Sequence, residues 1–120
     1  MAERPTILVV EDEILVRWLV VEIFVEAGYE VLEASTGDEA ISVFAGREDI
    51  RAVFSDIHMP GDRDGIALAW GVRSTRPDCP IVLASGRGLP EKAELPEGTR
   101  YLPKPYKAEA ALAVVEELLA

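Results

Sequence analysis

Five short apolar runs, separated by helical or loop-forming stretches, are the feature of this 120-residue sequence that most constrains its fold. The runs predict strands at residues 6–10, 29–34, 52–55, 81–84 and 101–102. The first run is continuous and rich in β-branched residues, which is typical of a strand buried on both faces. Strands that alternate with helices form a parallel sheet with helices on both sides. We therefore predict an α/β fold with a doubly wound, five-stranded parallel sheet.

The segments between these runs carry helical signals of unequal strength. Helices are predicted at residues 13–27, 35–45, 65–75 and 107–119. The first has apolar residues at helical spacing, Ile14, Trp18, Val21 and Val25, and Gly28 is expected to end it. Residues 86–99 differ because they contain five Gly or Pro residues. Any helix there should be short, one or two turns near residues 91–94.

Composition excludes several classes of function. The formal net charge of −10 argues against binding to nucleic acid or to an anionic membrane, since both require a basic surface. The length suits one domain, with a core at about residues 5–119 and no output domain after it. The single cysteine, Cys79, is expected to be a buried or half-buried thiol. A lone thiol and the lack of a signal peptide suggest the cytoplasm.

Polar residues follow four of the five predicted strands. Glu11 and Asp12 follow the first strand, Asp56 the third, Ser85 the fourth and Lys104 the fifth. Functional sites in open parallel sheets lie beyond the carboxyl ends of the strands. Any one of these residues alone is often a helix cap, a turn residue or a surface charge. Unrelated surface residues have no reason to recur at four strand ends, so we expect these five side chains to form one site.

The chemistry of this set points to a divalent cation and a phosphoryl group. Clustered carboxylates repel one another, and a hard cation such as Mg²⁺ relieves that repulsion. The sequence has no Cys or His cluster that would suit zinc. Next to a divalent ion, an aspartate can stay ionised and attack an electrophilic phosphorus. The ion and Lys104 would then neutralise charge on the transferred oxygens, and the Ser85 hydroxyl can donate a hydrogen bond to one of them.

Four stretches carrying these residues, at 7–13, 54–61, 82–86 and 101–106, resemble the receiver domain of the two-component response regulators. The resemblance covers essentially the whole chain, and the four stretches occur in order with the spacing of that fold. It implies a flavodoxin-like (βα)5 sheet with strand order 2-1-3-4-5. The helix between the fourth and fifth strands is expected to be short or disordered.

The resemblance also implies roles for the site residues. Asp56 would accept a phosphoryl group from a phosphohistidine of a sensor histidine kinase or a histidine phosphotransfer protein. Glu11, Asp12, Asp56 and the backbone carbonyl of His58 would hold Mg²⁺, or Mn²⁺ in its place. Lys104 would pair with the phosphoryl group, and the Lys104–Pro105 peptide is expected to be cis.

Three further positions are expected to respond to phosphorylation or to tune it. Ser85 would change position to bind the phosphoryl group. Tyr101 stands where the family carries a switching aromatic ring, although an ordinary half-buried tyrosine is equally compatible with the sequence. His58 and Arg87 each lie two positions after a site residue, and we hypothesise that they tune the lifetime of the phosphoaspartate. For His58, an ordinary loop position is the alternative.

The sequence departs from the family pattern in two places. Residues 59–65 are one residue longer than the common form and carry Arg63 where methionine is frequent, which predicts a longer, more polar loop beside the site. The stretch from Ser85 to Lys104 is shorter than the family norm and poor in helix formers. We hypothesise that residues 86–99 form a flexible element that orders on phosphorylation or partner binding.

The function expected from the sequence is a stand-alone receiver that signals by protein contact, or acts as a phosphate relay or sink, rather than an enzyme acting on other substrates. A metal-dependent phosphohydrolase is disfavoured, since such enzymes commonly need a second acid where this chain has His58. A phosphorylation-independent protein-binding module of the same fold is the alternative. Expected partners are the kinase or phosphotransfer protein and a downstream protein target. A weak homodimer is compatible with the sequence, whereas binding to nucleic acid or to a membrane is not expected.

Overall fold

The sheet is parallel throughout and confirms the predicted fold class. The computed structural model describes residues 4–61, 63–90 and 93–120. These residues form the strands β1 (Thr6–Val10), β2 (Glu30–Ala34), β3 (Ile50–Asp56), β4 (Ile81–Ser85) and β5 (Arg100–Pro103). They lie in the order β2-β1-β3-β4-β5, and every neighbouring pair is parallel. The carboxyl ends of all the strands therefore meet at one edge of the sheet.

Helices cover both faces of this sheet. The described ranges contain α1 (Ile14–Glu26), α2 (Gly37–Gly46), α3 (Gly65–Thr75) and α4 (Ala108–Leu119). Each begins and ends within two residues of its predicted bounds. The Thr36 side chain accepts a hydrogen bond from the Glu39 N–H and caps α2, and Gly28 follows α1 with a φ of 98°. Within the described parts of the chain, no helix is both long and apolar enough to cross a membrane.

Strand β1 serves a separate core on each face of the sheet. Leu8 and Val10 belong to a core that includes buried residues of α2 and α3. Ile7 and Val9 belong to a second core, built with buried residues of α1 and α4. Because successive strand side chains point to opposite faces, both sets must be apolar, which explains the continuous apolar run. Cys79 is buried in the first core as predicted, and burial raises the pKa of its thiol.

Helix α1 forms where it was predicted but buries a different face. Its buried side chains are Val20 and Phe24. The apolar spacing in the sequence singled out other positions, and most of those are exposed. The helix is apolar around much of its circumference, so spacing alone does not identify the side that meets the sheet. Its first two turns leave uncovered a group that we call the α1 apolar surface: Ile14, Leu15, Trp18 and Leu19, each more than half exposed.

The segment between β4 and β5 contains no helix in its described residues, 86–90 and 93–99. Part of the predicted helical stretch, residues 91 and 92, lies outside the described residues, and Ala93 and Glu94 are not helical. Instead, the Ala93 N–H donates to the Pro90 carbonyl and the Thr99 N–H donates to the Pro96 carbonyl. Turns of this kind suit a segment that is interrupted by glycine and proline.

Gly65 is a position where the fold leaves no room for a side chain. A Cβ atom there would lie 2.2 Å from the backbone oxygen of Asp56 and 2.8 Å from the Cα atom of Ile57. We expect Gly65→Ala to lower the free energy of unfolding by about 1–3 kcal/mol, because packed backbone must move apart. Urea denaturation of the variant and the wild type measures this difference.

Gly46→Ala is the matched control, because a Cβ atom at that helical position meets nothing within 4 Å. It should leave stability unchanged or raise it slightly, since alanine has a higher helix propensity than glycine. Equal stability of the two variants would contradict the close approach at Gly65.

Candidate functional site

Four of the predicted site residues come together at the carboxyl edge of the sheet. Asp56 is the last residue of β3, so the strand runs one residue further than predicted and carries the aspartate itself. Glu11 and Asp12 follow β1, which pairs with β3. One oxygen from each of these three carboxylates lies within 4.8 Å of the other two. The Lys104 Nζ atom lies 2.8 Å from Glu11 Oε1 and 3.4 Å from Asp56 Oδ2.

Local hydrogen bonds hold Glu11 and the backbone next to Asp56 in place. The Glu13 N–H donates to Glu11 Oε2 over 3.1 Å, and Arg17 donates to the Glu11 backbone carbonyl over 2.9 Å. The Ile57 N–H donates to the Ala84 carbonyl, which continues the β3–β4 ladder just past Asp56. Arg17 carries no signal in the sequence that sets it apart from any other arginine on the surface of a helix.

The lysine side of the site is held by β4. The Lys104 N–H donates to the Ser85 carbonyl over 2.9 Å, and the Lys104–Pro105 peptide is cis as predicted. With its backbone tied to the end of β4, the lysine directs its ammonium group towards β3 and β1. The Lys104 ammonium, which follows β5, thereby contacts Asp56 on the central strand β3 and Glu11 after β1.

Burial makes the two buried carboxylates, Glu11 and Asp56, harder to ionise. Burial raises the pKa of Asp56 above its usual range, although Lys104 acts in the opposite direction. Burial also raises the pKa of Glu11, against the hydrogen bonds that it accepts from Lys104 and Glu13. For Lys104, burial lowers the pKa, but the hydrogen bond to Glu11 and the charge of Asp56 outweigh it and raise the pKa overall. Additional positive charge nearby would therefore stabilise the ionised form of these poorly solvated carboxylates.

The donor set fits a hard divalent cation. Glu11, Asp12 and Asp56 offer carboxylate oxygens close enough to share one ion, which are the donors that Mg²⁺ prefers. Lys104 supplies a single positive charge within salt-bridge distance of two of them. The three carboxylates and the lysine together leave two negative charges, which a divalent ion would balance. Glu11 and Asp56 are buried while Asp12 is exposed, so the ligand set is open towards solvent on one side.

Ser85 and Tyr101 lie beside this cluster and contact each other. Ser85 is buried at the end of β4, and its Oγ accepts a hydrogen bond from the Arg87 N–H over 3.0 Å. The Tyr101 hydroxyl donates to the Ser85 backbone carbonyl over 3.0 Å. The tyrosine is half-buried and packs against the core on the α2 and α3 side. Its hydroxyl is thus linked to the strand end that carries the serine.

His58 and Arg87 line a separate cavity of about 340 Å³ that also borders Asp12. The His58 Nε2 atom is buried and has no hydrogen-bond partner among the described residues. Both side chains therefore flank the open side of the carboxylate cluster rather than forming part of it.

Tyr106 is a neighbour of the site that the sequence analysis did not single out. Burial raises the pKa of its hydroxyl, and the negative charges of Glu11 and Asp56 add to that effect. Its ring packs edge to face on Phe54, with the centroids 5.7 Å apart. The sequence signal was an aromatic residue directly after Lys104–Pro105.

Comparison with known proteins identifies the architecture. The sequence profile described as the response regulator receiver domain matches residues 7–116. The chain is 36% identical over 129 aligned residues to the sensor kinase CckA of Brucella abortus, covering 99% of this chain and 13% of that protein. It is 32% identical to the nitrogen assimilation regulatory protein NtrX of Azorhizobium caulinodans, covering 94% of this chain and 26% of that protein. The chain thus spans only 13% and 26% of the length of these two relatives.

Solved structures agree with these sequence relationships. A response regulator receiver protein from Sinorhizobium medicae superimposes with a TM-score of 0.90 at 29% identity, covering 98% of this chain and 95% of that one. The receiver domain of the hybrid histidine kinase CckA gives a TM-score of 0.82 at 33% identity, covering 96% and 99%. The Vibrio cholerae chemotaxis protein CheY4 gives 0.85 at 28% identity, covering 97% and 99%.

Magnesium should stabilise the folded chain through the carboxylate cluster. An ion that binds only the folded state raises the free energy of unfolding, by about 1.4 kcal/mol at ten times its dissociation constant. We expect the unfolding temperature to rise with Mg²⁺ concentration in the wild type and to lose most of this dependence in Asp12→Asn. Asp12 is exposed, so the substitution should leave the fold intact.

Asp78→Asn provides the control, because it removes the same charge from an exposed position outside the cluster. It should keep the full response to Mg²⁺ in a thermal denaturation series. The same response in Asp12→Asn as in the wild type would exclude Asp12 from the metal site.

Proposed function

The chain belongs to the response regulator receiver domain family, and we propose that it accepts a phosphoryl group on Asp56 from a phosphohistidine. Receivers are phosphoacceptor signalling modules that bind Mg²⁺ in an acidic pocket and interact with histidine kinases. The donor would be a sensor histidine kinase or a histidine phosphotransfer protein. The observation that carries the proposal is the position of Asp56, which shares a carboxylate cluster with Glu11 and Asp12 and lies 3.4 Å from the Lys104 ammonium.

The proposed transfer is a substitution at phosphorus. An Asp56 oxygen bonds to phosphorus while the bond from phosphorus to the donor imidazole breaks, and the imidazole leaves with that electron pair. The Lys104 ammonium donates a hydrogen bond to a phosphoryl oxygen as charge builds up there. Bound Mg²⁺, or Mn²⁺ in its place, supplies positive charge on the same oxygens. Glu11 and Asp12 contribute by holding that cation, together with Asp56 and the His58 backbone carbonyl.

Phosphorylation would change the partners of Ser85. The new group carries more negative charge and more acceptor oxygens than the carboxylate it replaces. In our proposal the Ser85 hydroxyl turns to donate to it and gives up the Arg87 N–H. The Tyr101 hydroxyl donates a hydrogen bond to the Ser85 carbonyl. The tyrosine ring is therefore a candidate switch that would move when the end of β4 moves.

The lifetime of the phosphoaspartate would depend on His58 and Arg87. Both line the cavity that borders Asp12, on the open side of the carboxylate cluster. Side chains there determine how easily water approaches the phosphorus from solvent.

The α1 apolar surface is our candidate docking surface for the phosphodonor. Its four side chains follow directly after the acidic residues of the site, at the start of α1. A cavity of about 670 Å³ runs beside it, from Leu19 to Lys104 and Tyr106. Exposed apolar groups of this kind mark sites of protein contact. The net charge of −10 favours a partner with basic residues around an apolar centre.

The same surface also supports a second candidate function, a protein-binding module that works without phosphorylation. Apolar contact through α1 does not itself require a phosphorylated Asp56. The two functions differ in the chemistry of the aspartate. For a phosphorylated chain, the output is either contact with a downstream protein or passage of the phosphoryl group to another acceptor.

Phosphorylation by a small donor tests the main proposal. With Mg²⁺ and acetyl phosphate, Asp56 should take the phosphoryl group and release acetate. We expect intact mass spectrometry to show one added phosphoryl group on the wild type and on Asp78→Asn, and none on Asp56→Asn. No adduct on the wild type would favour the phosphorylation-independent binding module.

Substitution of the α1 apolar surface tests the docking proposal. Leu15→Ala/Trp18→Ala should slow phosphotransfer from a phosphorylated kinase at least about tenfold, since loss of central apolar contacts costs more than about 1.4 kcal/mol. Its reaction with acetyl phosphate should match that of the wild type, because that donor needs no protein contact. A panel of purified sensor kinases, loaded with radiolabelled phosphate, supplies the donors.

Val25→Ala is the control for this variant, because Val25 is exposed on α1 but lies outside the α1 apolar surface. Transfer rates to Val25→Ala should equal those of the wild type. If the double variant also accepts phosphate from the kinases at the wild-type rate, the donor docks elsewhere.

A further inference from the structure

Two side chains of α3 hold the segment that precedes β5. The Trp70 indole N–H donates to the Glu94 backbone carbonyl over 3.0 Å. The Arg73 guanidinium donates to the Glu97 backbone carbonyl. The same guanidinium donates to the Cys79 carbonyl over 2.8 Å, which ties Arg73 itself to the start of β4. We refer to Trp70 and Arg73 as the α3 clamp.

The clamped part of the segment, residues 93–99, is also packed against the body of the protein. Leu95 packs against the core on the α2 and α3 side, and Pro96 is buried. The Thr99 N–H bonds to the Pro96 carbonyl across a turn in which Gly98 has a φ of 82°. Polar and apolar contacts together fix this half without a helix.

The half nearest the site, residues 86–90, is held differently. It is largely exposed, including Leu89 at 44%. The Arg87 N–H bonds to Ser85 Oγ over 3.0 Å. This acceptor is the same oxygen that the proposed switch would turn towards a phosphoryl group. Phosphorylation would therefore release the hydrogen bond between the Arg87 N–H and Ser85 Oγ.

We infer that the α3 clamp confines the phosphorylation-dependent rearrangement to residues 86–90 and keeps residues 93–99 fixed. The inference rests on the proposed function, because it requires a phosphoryl group on Asp56. It narrows the sequence-based hypothesis that residues 86–99 respond as one flexible element. A partner that distinguishes the two states would then contact residues 86–90, and residues 93–99 would present the same surface in both states.

Spin labels at two positions separate the halves. Leu89→Cys and Glu97→Cys, each in a Cys79→Ala background, place one nitroxide in each half on an exposed side chain. Paramagnetic resonance spectra are compared before and after treatment with Mg²⁺ and acetyl phosphate, and intact mass verifies the adduct. We expect the mobility of the label at position 89 to change and that of the label at position 97 to stay the same.

Loss of the clamp should extend the response. In Trp70→Phe/Arg73→Gln the label at position 97 should also change mobility on phosphorylation, whereas Arg51→Gln, an exposed arginine elsewhere, should behave as the wild type. Trp70→Phe alone keeps an aromatic ring while removing the indole N–H, and it is the milder variant if the double variant does not fold.

Each other outcome contradicts a specific statement. Absence of the phosphoryl adduct removes the proposed function and, with it, the premise of the inference. With the adduct present, equal changes at both positions, or no change at position 89, would overturn the inference. A label at position 97 that stays unchanged in the folded clamp variant would overturn the role of Trp70 and Arg73.

Discussion

The contact of the Lys104 ammonium with Glu11 and Asp56 is the interaction on which the site depends. Two buried carboxylates would repel each other and lack solvation at the edge of an apolar sheet. The Lys104 ammonium offsets part of this repulsion, since its Nζ atom lies 2.8 Å from Glu11 Oε1 and 3.4 Å from Asp56 Oδ2. Burial nevertheless raises the pKa of both acids. The site is thus built to gain from added positive charge. A divalent cation would supply that charge, and in the proposed function the cation and the lysine would together neutralise the phosphoryl group on Asp56.

The same geometry explains how a charge change can reach the surface. Ser85 lies between the buried cluster and an exposed segment, with its Oγ bonded to the Arg87 N–H and its carbonyl accepting from Tyr101. A hydroxyl that changes partners therefore acts directly on Arg87, and it reaches Tyr101 through any shift of the Ser85 backbone. The described residues of this segment, 86–90 and 93–99, contain no helix, so we infer that the contacts of α3 with the Glu94 and Glu97 carbonyls keep residues 93–99 fixed.

Arg63, in the loop before α3, contacts the start of α2 through both its backbone and its side chain. The Arg63 carbonyl approaches the start of α2 so closely that a Cβ atom at Gly37 would lie 2.3 Å from it. The Arg63 guanidinium lies 3.3 Å from Asp38 on the same helix. The sequence predicted a longer and more polar loop there, and its arginine faces α2 rather than the carboxylate cluster.

The sequence by itself determined the order of the elements and the residues at the strand ends. Continuous apolar runs identify strands buried on both faces, and parallel strands bring Glu11, Asp12, Asp56 and Lys104 to one edge whatever the details of packing. These features are local in the chain, so pattern and spacing predict them. The glycines and prolines after Ser85 likewise predicted that any helix there would be short, and the described residues 86–90 and 93–99 contain none.

Only the tertiary structure decided which contacts these residues make. Helix α1 is apolar on several sides, and its docking on the sheet selected Val20 and Phe24 for burial and left Trp18 exposed. The contacts of Arg17 with Glu11 and of Arg73 with Glu97 join residues whose side chains look like ordinary surface charges in the sequence. Such contacts depend on the relative positions of elements distant in the chain, and the periodicity of a single element carries no information about its neighbours.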